Sequence, residues 1–164
     1  MSSSADALAY MTAVKQIMQY GGISNCDQEK GQMRSDVNVS VRPVGQQELG
    51  AKVEIKNMNS FAFIEQAIEY EIDRQVTLLE SGGTVVQETR GYDSDRGETF
   101  TQRTKENAHD YRYFPDPDLL PLELEESFLD DCRASLPELP DAKRRRYESE
   151  LGLTPYNARE LTAE

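Results

Sequence analysis

At 164 residues the chain is long enough for one real core, or for a domain with part of a second. Its 37% hydrophobic and 29% charged residues are ordinary for a globular protein, and with no apolar run of 18 nothing is expected to span a membrane. A net charge of −12, from 30 acidic against 18 basic residues, excludes a free-standing chain that grips RNA through a broad basic surface.

Leu8, Met11, Val14, Ile17 and Met18 recur at three- and four-residue spacing, which predicts a helix from Ser4 to Tyr20 stopped by Gly21-Gly22. After a polar stretch with a turn at Lys30-Gly31, Met33 to Arg42 alternates. Met33, Ser35, Val37, Val39 and Val41 face one way, and Arg34, Asp36, Asn38, Ser40 and Arg42 the other. Pro43 to Gly50 is a loop. Lys52 to Lys56 resumes the alternation, so the two strands are expected to pair antiparallel. Ser60 is placed to cap a helix running to about Glu80, with Phe61, Ile64, Ile68, Ile72, Val76 and Leu79 as its buried stripe. A hairpin is expected from Val85–Tyr92 and Thr99–Arg103 around Asp93–Gly97, with a further short strand at His109–Phe114. Prolines keep Leu119–Leu124 extended, and three short helices follow from about Glu126. The class is therefore α+β: an antiparallel sheet with packed helices, then short C-terminal helices. The boundary is expected near Pro137, giving 1–136 and 137–164.

Cys26 and Cys132 are too few for a disulfide framework, so reduced thiols are expected. One histidine, His109, and no Cys or His pair at ligand spacing argue against zinc; a carboxylate-bound Mg²⁺ stays open. Three clusters carry chemistry. Arg34, Asp36 and Asn38 share a strand face, where a guanidinium suits phosphate and a carboxylate suits a cation; on a half-buried strand such a row is also simply the wet face. Glu54, Lys56, Asn57 and Asn59 lie on the neighbouring strand and the turn after it, on the same face if the hairpin pairs as expected, just before a helix N-terminus. Arg103 and Lys105, followed by Asp110, Tyr111 and Arg112, mix cations with aromatics able to stack a base, or to fill a sheet edge. Gly21-Gly22 and Gly82-Gly83 follow helices and are caps rather than phosphate loops. Lys143–Arg146 is a solvated helix face or a minor basic patch.

Met33 to Pro43, Val53 to Phe61, Ala67 to Ile72 with Arg74-Gln75, Glu80 to Gly83, Gln87 to Arg90 and His109 to Leu119, in that order, resemble the B-subunit family of the aspartyl/glutamyl-tRNA(Asn/Gln) amidotransferases, called GatB. The resemblance covers nearly the whole chain. Ser35 stands where many members carry cysteine.

The resemblance implies a cradle-shaped domain related to glutamine synthetase, with 1–136 its C-terminal part and 137–164 the start of a helical domain. It implies ATP- and Mg²⁺-dependent phosphorylation of the side-chain carboxylate of Glu-tRNA(Gln) or Asp-tRNA(Asn), then amidation by ammonia. The ammonia would come through a channel from an amidase subunit, with a small third subunit bracing the two. Arg34 and Lys56 would meet phosphate oxygens, and Asp36 and Glu54 metal or substrate. Asn38, Asn57 and Asn59 would orient by hydrogen bonding. Arg103, Lys105, Asp110, Tyr111 and Arg112 would form a second wall. The main metal ligands and the tRNA-binding tail are expected outside this stretch, so the chain alone is expected to be inactive. A non-catalytic scaffold that keeps the sheet, or a stand-alone nucleotide binder, are the competing readings.

Overall fold

The alternating and three-to-four-residue patterns become nine elements in a computed structural model that describes residues 1–104 and 114–163. In chain order these are α1 (Ser4–Tyr20), β1 (Val37–Val39), β2 (Val53–Lys56), α2 (Phe61–Glu80), β3 (Glu88–Asp93), β4 (Glu98–Thr104), α3 (Glu126–Ser135), α4 (Pro140–Leu151) and α5 (Pro155–Glu160). They divide into two compact units. One takes the described residues of Met1–Ala13 and Cys26–Ala108, the other those of Val14–Asn25 and His109–Glu164.

In the first unit the strands form one sheet in the order β1-β2-β3-β4. β1 and β2 pair antiparallel as the alternation predicts, with Val37 opposite Ile55, Asn38 opposite Glu54 and Val39 opposite Val53. β3 and β4 form the expected hairpin. Its turn is held by Asp93, whose Oδ1 accepts from the backbone N–H of Asp95 and Arg96 at 3.0 and 3.1 Å. Gly97 there sits at φ 68°, a conformation in which a Cβ is strained. The α+β class holds, but the sheet is mixed rather than wholly antiparallel: β2 and β3 run parallel, Val53 beside Glu88 and Lys56 beside Gly91. The 20-residue α2 joins them, and a helical crossover returns the chain to the end where the previous strand began.

Helix α2 starts where Ser60 caps it, its Oγ accepting from the Phe63 N–H at 3.1 Å. Ile64, Ala67 and Ile68 pack against Val39, Ile55, Met58 and Tyr92, with Ala7 and Met11 of α1 at the margin. Val76 and Leu79, expected in the stripe, are instead partly exposed, at 38% and 41%. In the second half of the helix Glu71 and Gln75 are buried in their place, both at 0% exposure.

Those two polar side chains are fully bonded. Glu71 accepts from Arg74 at 2.6 and 3.0 Å, from Gln75 at 2.9 Å and from Thr99 at 2.9 Å, and lies 3.4 Å from Arg90. Arg90 in turn donates to Glu88, Thr99 and Thr101 at 2.8 to 2.9 Å. Burial alone would push the Glu71 carboxyl up, but the bonds from Arg74, Gln75 and Thr99 outweigh it and hold it below its ordinary value.

The second unit is helical over most of its described length. Pro140 and Pro155 open α4 and α5, where a missing N–H costs nothing. Gly152 ends α4 in the left-handed region, and Thr154 caps α5 by accepting from the Asn157 N–H at 3.2 Å. Gln16 and Tyr20 each donate to the Thr162 carbonyl at 3.4 Å. The basic run is engaged with its own surroundings. Arg146 makes a two-pronged pair with Glu138 at 2.8 Å, Arg144 bonds Asp141 at 3.2 Å, and Lys143 lies over the Tyr20 ring.

Candidate functional site

Register decides which charged residues meet. β2 pairs with β1 on one side and β3 on the other, and β3 pairs with β4. Asn38, Glu54, Thr89 and Arg103 therefore form one row across the sheet, on the face away from the Glu71 network. Continuing the alternation brings Asp36 beside Lys56, and the side chains do meet: Lys56 Nζ lies 3.0 Å from Asp36 Oδ2 and 3.9 Å from Glu54 Oε1. The bond to Asp36 raises the Lys56 ammonium above the ordinary lysine value. Partial burial opposes this, the charges of Asp36 and Glu54 reinforce it, and Arg103 on the same face again opposes it.

After Lys56 the chain turns at Asn57, one of two non-glycine residues at positive φ (66°) among those described. Asparagine tolerates this better than most residues, and such positions gather where backbone must be aimed. The turn carries Asn57 and Asn59 along a cleft of about 860 Å³ whose other walls include Arg34, Asp36 and Lys56. That volume suits a ligand larger than a single phosphate. Arg34 passes close to Gly31, which turns the chain at φ 68°. Among the described residues Arg34 has neither an ion pair nor a hydrogen bond.

Of the sequence-predicted residues, the structure brings Arg34, Asp36, Lys56, Asn57 and Asn59 together at the cleft. Glu54 is on the same face but outside that lining, with its Oε2 held by the Thr89 hydroxyl at 3.0 Å. Asn38 and Arg103 lie in the same row as Glu54 and are exposed. Lys105, Asp110, Tyr111 and Arg112, with His109 and the strand expected there, lie outside the described residues.

Sequence reasoning misses Lys30. It falls in a predicted turn, and the turn sets it on the cleft wall: Asp27 Oδ1 accepts from the N–H of Glu29 and Lys30, and Asp27 Oδ2 pairs with Lys30 Nζ at 2.9 Å. The Asp-x-x-Lys spacing at that turn is the available signal. Also missed are Gln28 Nε2 and Ser35 Oγ, in two residues of the cleft wall. Both atoms are shut off from solvent with no bonding partner among the described residues, which costs about 1–3 kcal/mol each.

Residues 1–130 match the family model described as the GatB/GatE catalytic domain. The chain belongs to the GatB/GatE catalytic-domain family. It is 65% identical, over all 164 of its residues, to the B subunit of the aspartyl/glutamyl-tRNA(Asn/Gln) amidotransferase of Erythrobacter litoralis. It is 58% identical over 164 residues to the protein of the same name from Novosphingobium aromaticivorans, and 55% over 162 residues to that of Persephonella marina. The chain spans about a third of the length of these relatives (33% to 34%) while they cover 99% to 100% of it. The GatB/GatE match and the cleft fall on the same stretch, since all of the cleft's lining lies between Gln28 and Asn59.

Among the described residues no three acidic, histidine or cysteine side chains gather to hold a metal ion. Asp36 is the cleft carboxylate nearest a cation, and it is committed to Lys56. The described donors therefore do not make a Mg²⁺ cage; the cleft wall carries Lys30, Arg34 and Lys56 against Glu29 and Asp36. None of the described helices is long and apolar enough to cross a membrane.

Proposed function

We propose that this cleft forms the phosphate-handling wall of a site that activates a side-chain carboxylate with ATP and converts it to an amide. The single observation behind this reading is Arg34. Its guanidinium is unpaired among the described residues and lines the same cleft as the Lys56–Asp36 pair, a cleft whose size suits a phosphorylated ligand. A carboxylate is a poor acyl donor because oxide would have to leave. One carboxylate oxygen attacks the γ-phosphorus, ADP departs, and an acyl phosphate results. Ammonia then adds to the acyl carbon, phosphate leaves, and the nitrogen gives up one proton.

Each step gathers negative charge on phosphoryl oxygens, and fixed cations that meet it lower the barrier. In this reading Arg34 and Lys56 neutralise those oxygens, and Asp36 holds Lys56 protonated and oriented. Asn57 and Asn59 supply hydrogen bonds along the cleft. Glu54 steadies Lys56 from the row behind, and Asn38 and Arg103 extend the polar face. Lys105, Asp110, Tyr111 and Arg112 would supply a second wall toward the nucleotide or the tRNA terminus. Magnesium would supply further charge neutralisation, from ligands other than the described residues.

The names of the relatives extend the reading to Glu-tRNA(Gln) and Asp-tRNA(Asn) as substrates. The partners would be an amidase subunit that releases ammonia and a small bracing subunit, in the cytoplasm. The 164-residue chain alone would be inactive, with aminoacyl-tRNA held mainly by other parts of the protein. The test is ATP-dependent amidation by the assembled enzyme carrying Arg34→Ala or Lys56→Ala. A loss of about 100-fold or more in kcat/KM is expected for each; amidation at the unmodified rate would remove both residues from the reaction.

A further inference from the structure

β1 is short and lies at the sheet edge, bonded to one neighbour only, yet it must hold Asp36 and Arg34 in place just before it. Three residues of ladder are a weak hold for an edge strand. The side chain of Gln75, at 0% exposure, supplies another. Its Oε1 accepts from the Val41 N–H at 3.2 Å, and its Nε2 donates to the Val39 carbonyl at 3.3 Å. One amide thus bonds two alternate backbone positions, as a neighbouring strand would.

The amide is itself held. Nε2 also donates to Glu71 Oε1 at 2.9 Å, and Glu71 is fixed by Arg74 and Thr99. A Cβ on Gly50 would overlap the Val41 carbonyl oxygen, so the loop that follows also closes tightly on this backbone. An unbroken path of hydrogen bonds therefore runs from β4, through Thr99, Glu71 and Gln75, to the backbone that carries Asp36.

We propose that Gln75 is a positioning residue: clamped by Glu71, its buried amide fixes the height and register of β1, and through them the placement of Asp36 and Arg34 against Lys56. Gln75 touches no ligand. The functional part of this inference rests on the reading of the cleft as a phosphate site; the structural part does not.

The test is Gln75→Met, which keeps the volume and removes both backbone bonds, studied in the full chain under conditions where it is folded. Three things are measured: amide exchange at Val41, the titration of Lys56 by NMR, and the affinity for inorganic pyrophosphate. Ile64→Val, a core change elsewhere on α2, serves as the stability control. Positioning predicts that Gln75→Met speeds Val41 exchange at least tenfold, returns Lys56 toward an ordinary lysine midpoint and weakens pyrophosphate about tenfold. Ile64→Val should alter none of the three. A Gln75→Met protein that is less stable but keeps Val41 protection and the Lys56 midpoint overturns the proposal, since Gln75 then only fills space. If the Lys56 midpoint moves while the unmodified protein binds no pyrophosphate, positioning stands and the phosphate reading fails. Should Gln75→Met not fold, exchange in the unmodified protein decides. Val41 must open together with Ile64 and Ile68; opening with the Pro43–Gly50 loop overturns the proposal.

Discussion

The two faces of the sheet use the same charged residue types to opposite ends. On the face covered by α2, Glu71, Arg74, Glu88 and Arg90 are each bonded to one another or to threonine and glutamine, and Glu71 is wholly out of water. On the other face Lys56 and Asp36 form a half-exposed pair, and Arg34 has no partner among the described residues. A satisfied buried charge network holds a fold in one arrangement, whereas unsatisfied groups on an open face are available to something that binds. The difference lies in the partners rather than the residue types.

The largest effect should come from breaking the covered face. Glu71→Ala leaves Arg74 and Arg90 without their shared carboxylate and is expected to cost about 3–5 kcal/mol in urea unfolding. A cost under about 1 kcal/mol would mean that the network is not structural. The open face should show the reverse pattern. Lys56→Ala is expected to change stability by less than about 1 kcal/mol, because the pair with Asp36 is half in solvent. The same variant should nevertheless lower amidation by the assembled enzyme about 100-fold.

A pH titration sharpens the contrast. Glu71 has its carboxyl held below the ordinary value in the folded protein, so its stabilisation is complete above about pH 4.5 and is lost as the pH falls through the folded value. Tm measured down that range should fall, and less steeply in Glu71→Gln. Lys56 is raised, so its smaller contribution is present below about pH 10.5 and is lost as the pH climbs through its folded value. The smallest effect is expected at Ser35. Ser35→Ala removes an unbonded hydroxyl and should leave stability unchanged or raise it by up to about 1 kcal/mol. A loss above about 1 kcal/mol would show that the hydroxyl has a partner.

The open face is more legible in the sequence than the covered one. Period-two alternation places Arg34, Asp36, Glu54 and Lys56 on one side, and the antiparallel pairing of β1 with β2 then brings Asp36 to Lys56. The covered face escapes because periodicity gives weight to apolar residues. It selects Ile72, Val76 and Leu79, whereas Glu71 and Gln75 are buried by partners as distant as Arg90, Thr99 and Val41, which no local pattern reveals. The parallel pairing of β2 with β3 is legible in principle, since a 20-residue helix between two strands is a crossover signal. The positive φ of Asn57 and the cleft-facing position of Lys30 depend on turn geometry that composition does not specify.

The most direct test is to titrate inorganic pyrophosphate into the folded protein with and without Arg34→Ala, recording Tm alongside. Affinity should fall at least tenfold while Tm stays within about 2 °C, the behaviour of an exposed group that serves a ligand and not the fold. Unchanged affinity would contradict it, and the open face would then be only a wet surface.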